Sequence, residues 1–123
     1  MAPTTPSPFI DTRAALLGHI AESAGTPCYV YDAAAIRAAY TTLDEAFDGY
    51  PHAIHYALKA NSSLAIVRLL HGLGSHDDAN SLGEVDVAIR CGFRPDQIVF
   101  TGVGKSAAEI DRAVSLGLLA INV

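Results

Sequence analysis

The sequence has no tryptophan, only two cysteines, and no apolar run that approaches the length of a membrane helix, about 20 residues. The first residues also lack the basic stretch and apolar core of a secretory signal. Cys28 and Cys91 are too few for a disulfide framework, and we expect both to be small, buried, apolar side chains. These absences predict a cytoplasmic protein without a membrane segment.

Positive charge is also scarce, because 8 Lys and Arg residues stand against 13 Asp and Glu residues, for a net charge of −5. A nucleic-acid partner is therefore not expected, since such a surface needs clustered basic residues.

Half of the residues are hydrophobic and 17% are charged, which predicts a globular chain. The 123 residues suffice for one domain. A complete βα barrel typically needs about 250 residues.

The first third of the chain predicts two helices and one short strand. Met1–Pro8 is rich in Pro, Ser and Thr, and we expect it to be disordered. Asp11 is predicted to cap a helix that Gly25 ends, and Thr26–Tyr31 is predicted to be a short β run. Asp32 is predicted to cap an alanine-rich helix. Four apolar side chains of that helix have helical spacing and share one face: Ile36, Tyr40, Leu43 and Phe47. We expect Tyr40 and Phe47 to pack in the core.

Strands and helices alternate in the rest of the chain. The predicted strands are Ile54–Leu58, Asp78–Asn80, Gln97–Thr101 and Leu118–Val123. The intervening helices are predicted to follow Ser62, Ser81 and Ser106, and the last two begin with the S-x-x-E spacing of a capping box. This alternation predicts an α/β fold with a parallel sheet and right-handed crossovers. We assign residues 1–25 to an N-terminal extension with a helix and residues 26–123 to an incomplete barrel domain.

A single lysine closes the first of these strands. Lys59 follows an apolar segment, and burial of an unpaired ammonium group is costly, so this side chain must reach solvent or serve a function. Active sites form at the carboxyl ends of strands in barrels and open α/β sheets. Desolvation there favours a neutral amine able to attack a carbonyl group. The strand alone leaves open the alternative of an ordinary surface lysine.

The residues around Lys59 carry a resemblance to a known family. Tyr56–Asn61, with the sequence YALKAN, is similar to the cofactor-lysine motif of the fold-type III pyridoxal-phosphate decarboxylases. This family includes diaminopimelate, ornithine and arginine decarboxylases and shares its barrel with alanine racemase. Asp78–Glu84 and Ile98–Ser106 resemble its second- and third-strand motifs, and Ala120–Val123 resembles its fourth strand. The resemblance implies the N-terminal portion of a pyridoxal-phosphate-binding (β/α)8 TIM barrel, with about four βα units preceded by a short strand and helix.

The resemblance also implies a set of site residues. Lys59 would carry pyridoxal 5′-phosphate on its amine, and Asp78 would line the pocket near that attachment point. Ala57, predicted to lie on the same strand face as Lys59, would leave room for the cofactor ring. Each of the last two residues has a structural alternative, which is a helix-start carboxylate for Asp78 and core packing for Ala57.

The implied activity is decarboxylation of a small-molecule amino acid. The best match is the diaminopimelate branch, which converts meso-diaminopimelate to L-lysine and carbon dioxide in lysine biosynthesis. The alternatives are an ornithine- or arginine-type decarboxylase, an alanine-racemase-like enzyme, and a non-catalytic pyridoxal-phosphate-binding regulatory protein. The family implies a homodimer for the full-length form. Its phosphate loop and its C-terminal β domain have no counterpart in this sequence, so we expect the 123-residue chain to be a fragment that is inactive alone.

Two further patterns do not support a site. The run G-K-S that contains Lys105 resembles the end of a P-loop, but Val99 occupies the position of the required first glycine. We therefore expect Lys105 to be a loop lysine at a helix start. His52 and His55 are three residues apart near one strand and would point to opposite faces. His76–Asp78 alone does not complete a ligand set, so no metal site is predicted.

Overall fold

The computed structural model describes residues 8–123, with side chains from residue 13 onward. The chain divides into two units, of which the first ends at Tyr31 and the second is Asp32–Val123. This boundary lies after residue 25, and the assignment of residues 1–25 and 26–123 to an extension and a barrel domain stays a prediction. The expected disorder of Met1–Pro8 concerns residues outside the described range, apart from Pro8.

The first unit contains helix α1, Pro8–Ala24. The helix begins before the predicted cap, so the assignment of Asp11 as its N-cap is wrong. Proline is well suited to the first helical position, because its missing N–H group would have no partner there. The predicted stop is confirmed, since Gly25 has a φ of +80° and its N–H group donates to the Ala21 carbonyl over 3.0 Å.

The segment that follows α1 differs from its prediction. Thr26–Tyr31 forms no strand, because none of the described strands pairs with it. The predicted burial of Cys28 is also wrong, since its thiol is exposed. Tyr29 is 90% exposed, which shows that the apolar side chains of this segment have little cover within the described part of the chain.

The second unit is built from βα units. Its elements are helix α2 (Ala33–Glu45), strand β1 (His55–Ala57), helix α3 (Leu64–Gly72), strand β2 (His76–Ala79), helix α4 (Leu82–Cys91), strand β3 (Ile98–Phe100), helix α5 (Ala107–Leu116) and strand β4 (Ala120–Ile121). Short 3-10 turns follow β1 and precede β3. Within the described residues the four strands are parallel and lie in the order β1-β2-β3-β4. One helix joins each neighbouring pair, so the predicted α/β arrangement is confirmed.

The predicted helix caps are present in the second unit. They are Asp32, Ser81 and Ser106. At α5 both halves of the capping box form, because the Ser106 hydroxyl accepts from the Glu109 N–H and the Glu109 carboxylate accepts from the Ser106 N–H. At α4 the reciprocal half is shifted by one residue, since the Glu84 carboxylate accepts from the Asn80 N–H over 2.7 Å. This bond ties the end of β2 to the start of α4.

The strands sort their side chains onto two faces of the sheet. The register aligns Ala57 with Asp78, Asp78 with Val99, and Val99 with Ala120. In-register residues of parallel strands point to the same side, so these four residues form one row across the sheet, here called the inner row. The opposite face packs against the helices. Its core comprises Leu58, Val67, Ala79, Val85, Ala88, Cys91, Phe93 and Ile98, which confirms the predicted burial of Cys91.

Helix α2 is less covered than predicted. It ends at Glu45, so Phe47 lies beyond it and stacks on the His52 ring, with 4.0 Å between ring centres. Leu43 is 50% exposed and no α2 residue is fully buried in the described part of the chain. The expected core packing is therefore wrong for Phe47, which is exposed, and Tyr40 is only half-buried, because α2 contacts mainly α3.

One carboxyl group lies inside the core. Asp77 is fully buried on β2, and within the described residues neither of its carboxylate oxygens has a hydrogen-bond partner. Burial, together with the negative charges of Asp78 and Glu84, raises the pKa of Asp77 to about 7. A neutral carboxyl group is tolerated in an apolar core much better than a carboxylate.

The Asp77 site makes folding stability fall as pH rises. In the unfolded chain the ordinary pKa is 3.8, so between about pH 4 and pH 7 only the folded state keeps this proton. Ionisation over that window costs on the order of 4 kcal/mol. Urea denaturation at a series of pH values is expected to show a smaller decline for Asp77→Asn than for the parent. Asp111→Asn, an exposed position on α5, is the control. Equal declines in the parent and Asp77→Asn would contradict this assignment.

A close backbone approach fixes the ends of β2 and β3. The Thr101 N–H donates to the Ala79 carbonyl over 2.8 Å, so the pairing extends one residue past β3. At the next position, a Cβ atom built on Gly102 would lie 1.8 Å from the Asn80 carbonyl oxygen. Only glycine fits there, because real Cβ atoms never approach backbone oxygen so closely.

Gly102→Ala is therefore expected to destabilise the protein by at least about 2 kcal/mol, because the backbone around Asn80 must move. The matched control is Gly83→Ala in α4, where the new Cβ would meet its nearest atom, the Ser81 hydroxyl oxygen, at an ordinary 3.7 Å. That change is expected to stabilise by roughly 0.5 kcal/mol through helix propensity. Chemical denaturation measures both, and similar effects at the two positions would refute the steric argument.

Candidate functional site

Lys59 lies at the carboxyl end of β1, in the 3-10 turn that follows the strand. The strand ends at Ala57, so the prediction that Ala57 and Lys59 share one strand face is wrong. Leu58 of this turn is fully buried in the core, and the Tyr56 hydroxyl donates to the Asn61 carbonyl oxygen across the turn over 3.0 Å. The turn leaves Lys59 exposed at the edge of the sheet.

The Lys59 ammonium group has no hydrogen-bonding or ionic partner among the residues that the structure describes. An amine without a structural contact can react or bind without a loss of folding contacts. Its position also matches the rule that sites in parallel sheets form beyond the carboxyl ends of the strands.

Asp78 lies on the neighbouring strand, directly across from Ala57 in the inner row. It is half-buried, and its Oδ1 atom accepts a hydrogen bond from the Thr101 hydroxyl over 2.5 Å. This distance is typical of a hydroxyl donating to a carboxylate. Asp78 is thus a strand residue of β2 rather than a helix-start carboxylate. The structure places Asp78 beside Ala57, on the strand next to the one that leads into the Lys59 turn.

Lys105, predicted as a loop lysine, has a structural role. It precedes α5 as expected, and its ammonium group donates to the carbonyl groups of Gly102 and Asn122, the latter over 2.5 Å. It also lies 4.8 Å from the centre of the Phe100 ring. These contacts bridge the carboxyl ends of β3 and β4. Beside them lies an open cavity of about 440 Å³, lined in part by Thr101.

His55 and His76 lie away from this edge of the sheet. His55 and His76 face each other at the amino ends of β1 and β2, with 5.0 Å between ring centres. Burial, followed by the nearby His55 and Arg94 side chains, lowers the pKa of His76. His52 instead contacts the Asp44 carboxylate at 2.9 Å. Within the part of the chain that the structure describes, no three His, Cys, Asp or Glu side chains form a group able to hold a metal ion.

Thr101 is the residue that the sequence analysis missed. It belongs to the third-strand motif, but no role was inferred for it. The sequence offers only a partial signal, because Thr101 lies two residues beyond Val99 in the same predicted strand, whereas the register that aligns Val99 with Asp78 comes from the structure. Period-two alternation therefore places its side chain on the same face as Asp78.

Among the described residues, no helix is both long and apolar enough to cross a bilayer.

Comparison with known proteins assigns this arrangement to a family. Residues 33–123 match the family model of the pyridoxal-dependent decarboxylase, pyridoxal binding domain. A diaminopimelate decarboxylase of Helicobacter pylori is 50% identical over 98 residues, which cover 80% of this chain and 24% of the relative. The chain thus spans about a quarter of the length of the curated relatives it matches.

Solved structures agree with this assignment. The crystal structure of diaminopimelate decarboxylase from Helicobacter pylori complexed with L-lysine superposes with a TM-score of 0.82 at 45% identity, over 87% of this chain and 27% of that one. A lysine/ornithine decarboxylase from Vibrio vulnificus, complexed with putrescine, gives a TM-score of 0.74 at 30% identity, over 85% and 28%. The chain therefore belongs to the pyridoxal-dependent decarboxylases and corresponds to an N-terminal part of their pyridoxal-binding barrel.

Proposed function

We propose that this protein is a diaminopimelate decarboxylase, which converts meso-diaminopimelate to L-lysine and carbon dioxide with pyridoxal phosphate held on Lys59. A proton replaces the departing carboxylate on the same carbon atom, so the reaction needs no oxidant or reductant. The observation that carries the proposal is the contrast between the two lysines of the sequence, Lys59 and Lys105.

The two lysines differ in what their amines contact. Lys105 is half-buried, and its ammonium group contacts two backbone carbonyl groups and an aromatic ring. Lys59 is exposed at the carboxyl edge of the sheet, with no such partner in the described range. Of the two lysines, Lys59 thus offers the amine that can bind a cofactor carbonyl without breaking existing contacts.

The neighbours of Lys59 fit the same cofactor. Lys59 would hold it through the amine, Asp78 would place a negative charge near that attachment point, and the small side chain of Ala57 would leave room for a ring. When bound, pyridoxal phosphate supplies an electron sink for the bond that breaks as the carboxylate leaves. The chain's contribution is to bind, orient and set the local charge.

The choice of substrate rests on similarity. The solved diaminopimelate decarboxylase is more similar to this chain than the lysine/ornithine enzyme is, in identity and in TM-score. An ornithine- or arginine-type decarboxylase, an alanine-racemase-like enzyme and a non-catalytic pyridoxal-phosphate-binding regulator are the alternatives. We also propose a homodimer in the cytoplasm for the full-length form.

Borohydride reduction of the protein loaded with pyridoxal phosphate is expected to fix the cofactor to Lys59, and peptide mapping identifies the modified residue. The experiment uses the longest natural protein that contains these residues. Lys59→Arg keeps the positive charge but removes the primary amine, so the visible absorbance of the bound cofactor should disappear.

The matched control is Lys105→Arg, which makes the same change at the other lysine and should retain the fixed cofactor. Attachment at Lys105, or unchanged absorbance in Lys59→Arg, would show that Lys59 does not hold the cofactor. Circular dichroism of both variants verifies that they are folded.

Substrate choice is tested by carbon dioxide release. The same natural protein is expected to release carbon dioxide from meso-diaminopimelate at least about tenfold faster, in kcat/KM, than from ornithine or arginine, which is about 1.4 kcal/mol in transition-state binding. The isolated 123-residue chain is expected to show no release, because it spans about a quarter of its relatives. Faster turnover of ornithine or arginine would favour those decarboxylases. Racemisation of alanine without carbon dioxide release would favour the racemase alternative.

A further inference from the structure

We infer that Thr101 is a positioning residue that fixes the orientation of the Asp78 carboxylate, on the strand next to the cofactor attachment point. This inference rests on the proposed function, because it assumes that the cofactor is held on Lys59. The contact that motivates it is the hydrogen bond of 2.5 Å from the Thr101 hydroxyl to Asp78 Oδ1.

The bond crosses between strands on the inner-row face. Asp78 is aligned with Val99, and Thr101 lies two residues further along the chain, so the two side chains are diagonal neighbours at the carboxyl edge. The same hydroxyl has a second, longer contact of 3.4 Å with the Ala79 carbonyl oxygen. The carboxylate is thus the better acceptor of this hydroxyl proton.

The backbone of Thr101 is held independently of this side-chain bond. Its N–H group donates to the Ala79 carbonyl over 2.8 Å, and the next residue, Gly102, packs against the Asn80 carbonyl. Lys105 fixes the Gly102 carbonyl from the other side. Replacing the hydroxyl therefore leaves the backbone in place, which makes the side-chain bond separately testable.

The orientation of Asp78 matters because a carboxylate stabilises positive charge nearby. Asp78 lies across from Ala57, next to the turn that carries Lys59. If the hydroxyl is removed, the carboxylate loses its fixed direction and its effect on the attached cofactor weakens. The other charged groups next to this stretch are Asp77, Glu84 and Lys105, and a substitution at Thr101 replaces none of them.

The test is a pH titration of the absorbance of bound pyridoxal phosphate in the longest natural protein that contains these residues. Thr101→Val, which keeps the shape but removes the donor, should bind the cofactor and titrate about one pH unit lower than the parent. Thr101→Ser retains the hydroxyl and should titrate like the parent. Thr41→Val, at an exposed position of α2, is the surface control.

Each outcome decides one question. If the cofactor absorbance of Thr101→Val titrates at the same pH as that of the parent, the positioning role is overturned. If Thr101→Val shows the expected shift, and the same change causes no shift in a protein that already carries Asp78→Asn, the role is supported. If Thr101→Val does not fold, Thr101→Ala replaces it, and equal titration of the Ala and Ser variants overturns the inference. Failure of the proposed function is a separate result, because cofactor absorbance that persists in Lys59→Arg shows that Lys59 does not bind the cofactor. That result does not depend on how the Thr101 variants titrate.

Discussion

The close approach of Gly102 to the Asn80 carbonyl determines the geometry of the carboxyl edge of the sheet. A side chain on residue 102 would overlap that oxygen, so the segments after β2 and β3 are locked against each other. This contact places Thr101 within hydrogen-bond reach of Asp78 and presents the Gly102 carbonyl to Lys105. The polar groups at this edge therefore share one backbone constraint, which links packing directly to the proposed site.

The two lysines illustrate how that constraint separates structure from chemistry. Lys105 uses its charge to hold the ends of β3 and β4 together through carbonyl groups. Lys59 lies in a turn whose first residue, Leu58, is buried. The backbone of the turn is therefore anchored, while the Lys59 amine stays accessible. Because the strands are parallel, both lysines lie at the same edge of the sheet, and their local contacts determine which amine can react.

Much of this fold was predictable from the sequence, because the signals were local. Caps at Asp32, Ser81 and Ser106 identified helices of the second unit, and the βα alternation identified the parallel sheet. The motif around Lys59 identified the family. Thr26–Tyr31 failed as a strand because strand formation requires a partner, which a single segment does not specify.

Other features depended on contacts across strands, which spacing along one strand cannot reveal. The Thr101–Asp78 bond required the register between β2 and β3, and the role of Lys105 required the position of Asn122 on the far side of β4. Strand register is tertiary information. The sequence pattern therefore placed these residues near one edge of the sheet but did not reveal their contacts.

Strand β2 places adjacent ionisable side chains, His76 and Asp77, on opposite faces of the sheet. The pKa of His76 is lowered below 6.5, so unfolding in mildly acidic solution takes up a proton there. Asp77, with a pKa of about 7 in the folded state, releases a proton on unfolding under the same conditions. The two exchanges have opposite sign, so the proton uptake at His76 offsets part of the proton release at Asp77 on unfolding. One strand thus partly buffers its own response to acid.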